Sequence, residues 1–593
     1  MPADQPKIDD PANLRDLLDK FADLQAEADA EGEAGEEEEE VNDQAPAAAG
    51  SSKKKKKKSK NKASKAIQKL KDISSGSVPD ALVAQVQQQI VNDTPAGSAP
   101  PTINEAEIKR ALQAVDLIKL LEGKSALGNA QNTKDLGEHK FWKTQPVIQT
   151  VASSSSSASE PAEGPIDPPR TVESVRKDPL ALPSGYEWST IDITSPTQLR
   201  ETQQLLSENY VEDPDASFRL GYTDEFLRWA LGPPGYVEDW HIGVRVKGSG
   251  KLIAFISGIP MDVGVRDNSF KAAEINFLCA HKKLRNKRLA PVLIKEVTRR
   301  VNLKGIWQAV YTAGVVIPTP ISTCRYYHRN LNPAKLVDIG FTPIGRGETI
   351  SRLVRKYALP TAPLTPGWRE MTEADVPVVA TLLRRYMQRF EMQQVFATDD
   401  EVRHWFLSGR GTGDTVEGRG REGQVVWAYV VEDPSTHTIT DFMSFYSLPS
   451  LIMKHPTHKS LNTAYAFYYA SDAVPESSHS ARDTPEDKAR LGVRLNALMK
   501  DSLIVAKQAG FDVFNALSLM DNNLFLHEQL FGPGDGYLVS LLQSNEATAH
   551  GYVSCFRVVR QNYYLYNWRC APIDGARDSW KTKETSKIGV VML

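Results

Sequence analysis

The clearest hydrophobic pattern in the chain is a short apolar strand that runs into a cationic turn and then into an amphipathic helix. Residues 274–296 read EINFLCAHKKLRNKRLAPVLIKE. Residues 275–279 predict the strand, Lys282, Lys283, Arg285, Lys287 and Arg288 fall in the turn, and a helix is expected from about Ala290 and Pro291. The alternation continues on both sides. Helices are predicted at 196–210 and 224–231, strands at 241–246 and 251–259, and a β-rich run at 306–316. A second cycle follows Trp368, with helices at 373–390 and 399–407, strands at 424–431, 438–448 and 463–469, and a helix at 488–510. Mixed α/β elements in this order imply two similar units sharing one α+β sheet system, not an all-parallel dinucleotide fold.

The pattern is absent from the first part of the 593 residues. Residues 1–138 carry an acidic run at 31–40 and an unbroken lysine block, Lys53 to Lys58, and too little apolar surface to offset the entropy of ordering. A largely disordered region is therefore expected, with helices at 11–28 and at 103–121, where Ile108, Leu112, Val115 and Ile118 keep helical spacing. The serine run at 153–157 and the prolines after it make 152–180 linker-like. The lysine block has the charge to dock on ribosomal RNA, and equally reads as a solvated tail or a nuclear-localisation-like run.

Composition narrows the function. A net charge of −3 excludes bulk polyanion binding, so no DNA partner is expected. Four cysteines without a CxxC pair point to reduced structural thiols and no metal site. No GxGxxG opens a helix after a first strand, no GxxxxGK[ST] occurs, and no apolar run reaches the ~18 residues of a membrane span. A soluble, cytoplasmic, monomeric protein is expected.

A strand that feeds backbone N–H groups and cations into a helix N-terminus makes an anion cradle. The spacing Arg285-x-x-Arg288-x-Ala290 resembles the pyrophosphate loop of the GCN5-related acyl-CoA transferases, with Arg288 in place of the central glycine. A basic surface turn without a ligand would look the same. Order is expected to begin at His139-Lys140-Phe141-Trp142, whose aromatics beside a lysine suit either adenine stacking or anchoring of a chain end.

Longer signatures are more specific. Together with residues 274–296, the segments QAVYTAGVV from Gln308, CRYYHRNLNP from Cys324, DVFNALSLMDN from Asp512, FGPGDG from Phe531 and YYLYNWR from Tyr563 resemble the myristoyl-CoA:protein N-myristoyltransferases, in a fungal-type form, from about His139 to Leu593. The resemblance implies two fused acyltransferase-like halves related by a pseudo-twofold. The first, 139–345, would bind acyl-CoA, and the second, 346–593, would bind much of the peptide. It implies transfer of a myristoyl group to an N-terminal glycine amine, with myristoyl-CoA as co-substrate and no resident cofactor or metal. Two alternatives are an acyltransferase of other specificity and a catalytically weak ribosome-associated binder.

Carried over residue by residue, the resemblance assigns the oxyanion hole to the backbone N–H groups of Phe277 and Leu278, the base to the carboxylate of Leu593, and the hold on the glycine amine to Asn276 and Thr312. His139, Lys140, Phe141, Trp142, Phe277, Leu278, Cys279, Arg285, Asn286, Lys287, Arg288 and Leu289 would hold the CoA. Tyr210, Glu212, Asp213, Phe218, Tyr326, His328, Tyr446, Ser450 and Asp535 would line the peptide groove. Leu220 stands where the family commonly has a second phenylalanine, and Asn286 where it commonly has serine.

One departure is larger. GDG and NYYLYNW, close together in the family, are separated here by residues 539–561, and deleting those 23 residues would restore GDGYLNYYLYNWR. Val-Ser is encodable as GTGAGT or GTAAGT and Gln as CAG, the ends of an intron, so a retained intron and a genuine surface insertion are both open.

Overall fold

The computed structural model describes residues 141–148, 163–168, 170–210, 217–314, 316–345, 347–474, 483–533, 560–577, 579 and 581–593. The expected helices at 11–28 and 103–121, the lysine block, and His139, Lys140, Glu212, Asp213 and Asp535 lie outside the described residues, as does 539–559 of the insertion.

The first half contains β1 (Tyr186–Thr190), α1 (Pro196–Asn209), β2 (Phe218–Leu220), α2 (Asp224–Leu231), β3 (Ile242–Val246), β4 (Leu252–Val265), β5 (Asn268–Ala280), α3 (Leu289–Asn302), β6 (Gln308–Ala313) and β7 (Ser322–Asn330). The second contains β8 (Trp368–Glu370), α4 (Val376–Met387), β9 (Met392–Val395), β10 (Val426–Glu432), β11 (Ile439–Ser447), β12 (Ser450–Ile452), β13 (Thr463–Ser471), α5 (Pro485–Gln508), β14 (Val513–Leu517), β15 (Arg560–Tyr566) and β16 (Ile588–Gly589).

The main path of the large mixed sheet runs β1-β3-β4-β5-β6-β15-β7-β14-β13-β11-β10-β8. Read from either end, it gives the same pattern. Every neighbouring pair is antiparallel except β5 with β6 and β13 with β14, which are parallel. A crossover helix separates each parallel pair in sequence, α3 in the first half and α5 in the second. The expected internal twofold is thus present in the topology. The halves also exchange a strand: β7 lies beside β14 on the second half's side, and β15 lies beside β6 on the first half's side.

Helix α3 shows how pattern becomes packing. Leu293, Val297 and Val301, spaced by four, are at most 4% exposed and lie in one cluster with Trp240 and Ile256. Full burial of each such side chain contributes roughly 1.5–3 kcal/mol. On the same helix Glu296, fully buried, accepts from Arg299 and Arg300 and from the Leu180 N–H. The described part of the 152–180 stretch is therefore tied to the core: Arg299 also reaches the Lys177 carbonyl, and Gly164 bridges Arg569.

Candidate active site

The strand-turn-helix segment forms as its pattern predicts, with one local addition. Residues 282–287 wind into a 3-10 turn before α3 begins at Leu289. Arg288, at the loop's usual glycine position, takes a left-handed backbone conformation, φ +56. Its side chain is exposed, as are those of Arg285 and Lys287, while the His281 side chain caps the turn by accepting from the Lys283 N–H. Arg285 donates to the Asn209 carbonyl at 2.5 Å, which ties the basic turn to the end of α1. Cations and helix N-terminus thus converge as an anion site requires.

Two features open the sheet beside this turn. β5 and β6 pair through Ile275 and Tyr311, so the parallel register ends one step before Asn276 and Thr312. Across the other edge, Ser257 pairs Asn276 and Phe255 pairs Cys279, which sets Phe277 and Leu278 opposite the single residue Ile256. In this bulge Phe277, 2% exposed, has φ +54. A bulky residue there carries about 1–3 kcal/mol of backbone strain, held by the packing of Tyr210 and Tyr222 against its ring at 6.1 and 5.5 Å.

The internal twofold repeats the bulge. Phe467 and Tyr468 face the single residue Ser444 between β13 and β11. Here the bulge serves the chain end: the Tyr468 hydroxyl accepts from the Val591 N–H at 2.9 Å, and Tyr563 Oη donates to the Val590 carbonyl at 2.9 Å. β16 passes so close to the end of α4 and the residues after it that a Cβ on Gly589 would fall 2.6 Å from the Phe390 ring. Residues 588–592 are buried, and Leu593 arrives at the first bulge, where Asn276 Nδ2 donates to its O atom at 2.6 Å. Asn276, Phe277 and Leu593 are therefore brought together. The Phe277 N–H donates to the Asn276 Oδ1 at 3.0 Å, so in this structure one expected oxyanion donor is engaged by its neighbour's side chain. Thr312 accepts from Gln561 Nε2 at 3.0 Å, and the backbone of residue 312 pairs with Tyr563.

Trp142 stacks on Tyr311 at 5.8 Å, with Phe141 edge-on to it. Leu278 and Leu289 pack in the α3 cluster, and Cys279 is buried against Leu205, its thiol pushed up to about 12 by desolvation. Tyr326 and Tyr446 line one small cavity together with Val591 and Met592. His328 is held by Asn515 at 2.6 Å, and burial lowers its pKa. Ser450 and Phe218 lie on the paired strands β12 and β2, in register with Leu220 and Ile452.

Sequence reading missed Glu274. Its side chain lies on β5 beside Asn276, its Oε1 3.5 Å from Nδ2, and desolvation pushes its carboxyl up to about 7. A carboxylate directly beside the apolar run at 275–279 was the available signal. Also unanticipated is a cavity of about 630 Å³ between the 165–170 segment, the end of α3, Trp307 and Tyr566.

Comparison with known proteins identifies the architecture. The family model for the myristoyl-CoA:protein N-myristoyltransferase N-terminal domain matches residues 165–324, and that for the C-terminal domain matches residues 338–543. The chain belongs to the N-myristoyltransferase family. It is 46% identical over 496 residues to the glycylpeptide N-tetradecanoyltransferase of Schizosaccharomyces pombe, covering 83% of this chain and 97% of that one. It is 48% identical over 431 residues to glycylpeptide N-tetradecanoyltransferase 1 of Arabidopsis thaliana, covering 73% and 86%. A crystal structure of Saccharomyces cerevisiae N-myristoyltransferase with bound myristoyl-CoA superposes with a TM-score of 0.67 at 44% identity, over 77% of this chain and 99% of that one. The C-terminal N-myristoyltransferase match ends at residue 543, inside the 539–561 stretch. Among the described residues no helix is long and apolar enough to cross a membrane.

Proposed function

We propose that this chain transfers a tetradecanoyl group from myristoyl-CoA to the N-terminal glycine amine of proteins by direct attack, without a covalent enzyme intermediate. The observation that carries the mechanism is the 2.6 Å contact between Asn276 and Leu593 beside the Phe277 bulge. The amine attacks the thioester carbon, and the developing oxyanion is received by the backbone N–H groups of Phe277 and Leu278. For the Phe277 N–H to serve, Asn276 Oδ1 must give way to the thioester oxygen. The carboxylate of Leu593 takes one proton from the arriving ammonium to free the attacking amine, and the proton the nitrogen sheds on becoming an amide leaves with CoA as the thiol. The exposed cations of the 282–288 turn and Trp142 suit the phosphates and the base of CoA. The groove residues Tyr210, Phe218, Tyr326, His328, Tyr446 and Ser450 suit the peptide beyond its glycine.

Acyl transfer to an N-terminal glycine peptide tests the reaction class. Myristoyl-CoA is expected to support turnover at least ~100-fold better in kcat/KM than acetyl-CoA, since twelve further methylenes each add about 0.8 kcal/mol of burial, part of it spent on ordering the chain. Equal use of acetyl-CoA would overturn the assignment of a long-chain donor.

The 539–561 stretch has a test of its own. Arg560 and Gln561 pair with Arg325 and Cys324 at the start of β15, so deleting 539–561 would place Tyr537 and Leu538 at those two strand positions with the alternation of faces unchanged. Residues 539–561 are proposed to be a retained intron. Transcript reads across the junction are expected to be spliced in frame, and good coverage with only unspliced reads would defeat the proposal.

A further inference from the structure

The most unusual unassigned group is the carboxyl of Glu274, which shares a small cavity with the chain end. A cavity of about 10 Å³ has Ser257, Glu274, Asn276 and Leu593 as its polar lining, and the remaining lining residues are apolar or aromatic. Glu274 is 6% exposed. Asn276 Nδ2 stands between the two acidic groups, 2.6 Å from the Leu593 O atom and 3.5 Å from Glu274 Oε1, and the Leu593 backbone also hydrogen-bonds the Glu274 carboxyl. The strand neighbours on either side are Ile259 of β4 and Val310 of β6, neither of them titratable. From the second half, the Tyr446 and Tyr468 phenols couple to Glu274, and burial keeps both protonated. Among the described residues no cationic side chain contributes to the raised Glu274 pKa.

We propose that Glu274 is a positioning residue that sets the basicity of the Leu593 carboxylate, strengthening it when ionised and weakening it when protonated. The proposal rests on the reading of Leu593 as the base. Two carboxylates in one low-dielectric compartment hold a proton more tightly than either alone, and they titrate as a pair. An ionised Glu274 therefore raises the proton affinity of its neighbour and favours the arriving ammonium. A protonated Glu274 removes that repulsion and lowers the base strength. Burial raises the Glu274 pKa to about 7, so the change falls within the working range.

The test is the ratio of kcat/KM for wild type over Glu274→Gln, measured from pH 6 to pH 8.5. Because the substrate amine titrates identically with both enzymes, the ratio isolates the enzyme's own group. It is expected to be near one at pH 6 and to rise through neutrality to roughly tenfold at pH 8.5. A ratio that stays flat overturns the proposal, because a purely structural role lowers activity equally at every pH. Glu274→Asp keeps the acid, so kcat/KM for the Asp variant over the Gln variant is expected to rise with pH as the wild-type ratio does. Because both of those chains are substituted, this second ratio also serves if the Gln variant folds poorly. In a chain lacking Leu593, Glu274→Gln is expected to change nothing further. Full activity of that shortened chain would refute the base itself, whereas a flat ratio with the shortened chain inactive would refute only the role of Glu274.

Discussion

Removing Leu593 is expected to lower kcat/KM for glycine-peptide myristoylation by about 100- to 10,000-fold, the usual contribution of a positioned general base. An α-amino group titrates near 7.7–8.0 and is mostly protonated at neutral pH, so attack waits on a proton acceptor. A free carboxylate, at about 3.3–3.7, is a poor one. Here the residues before it are buried and a second carboxyl, Glu274, stands beside it, both of which favour the protonated form and narrow the gap, while the Asn276 N–H that donates to it works in the opposite direction. Deleting one residue leaves the Met592 carboxylate about 3.5 Å short of the site. Appending two glycines carries the carboxylate away by up to ~7 Å and is expected to be similarly harmful. Single-turnover assays with saturating myristoyl-CoA, run beside thermal melts, separate lost chemistry from lost fold. Leu593 is partly exposed, so the melts are expected to stay close to wild type. Undiminished turnover of the shortened chain would remove the proposed base.

Much of the fold was legible from local pattern, the amphipathic face of α2 and the β-rich composition of the strands. Helix α2 occupies the predicted 224–231, and β10, β11 and β13 fall within a few residues of expectation, each having the β-rich composition that strand reading uses. The central strands were harder. β14 is buried at every position, and β15 is buried over residues 562–565, so neither alternates. Their segments carried the family resemblance, but periodicity could not type them as strands. α5 starts at Pro485, three residues before the predicted start, because Thr484 and Asp487 form a capping box ahead of the first apolar turn. The predicted helix 373–390 splits into a 3-10 turn and α4 where a second capping box, Thr372 with Asp375, meets Val376-Pro377.

The site divides along the same line. Local chemistry such as the cationic turn could be read from a continuous stretch. The meeting of residues 276 and 593 could not, since it depends on strand exchange and on a chain end threaded past Phe390. The resemblance supplied that meeting in advance, and physical chemistry alone would have left Leu593 as a buried apolar terminus. Glu274 escaped both routes. Its raised pKa comes from burial that exists only once the two halves close around it.

The largest effect on stability is expected at Arg389, far in sequence from every residue assigned to chemistry. Its side chain is 1% exposed and donates to Asp483 through two nitrogens at 3.0 and 2.7 Å. Its Nη2 also lies 3.5 Å from Asp521, which accepts from the Tyr386 hydroxyl at 2.6 Å, and the guanidinium sits 5.4 Å from the Tyr386 ring centroid. Arg389→Met keeps the volume and removes the charge, stranding two carboxylates that are at most 3% exposed. Breaking one side of such a buried pair costs about 3–5 kcal/mol, far more than the intact pair contributes. The consequence extends to catalysis because the neighbouring turn grips the chain end. The Met520 N–H donates to the Ile588 carbonyl, and the Ser586 N–H to the Met520 carbonyl, so loosening Asp521 loosens the segment that delivers Leu593. Urea unfolding is expected to show the loss as a lower midpoint, with kcat reduced more than KM is raised. Adding Asp483→Asn to Arg389→Met should recover part of the midpoint by removing one orphaned charge. A double variant no more stable than the single would mean that the carboxylates are not what destabilises it.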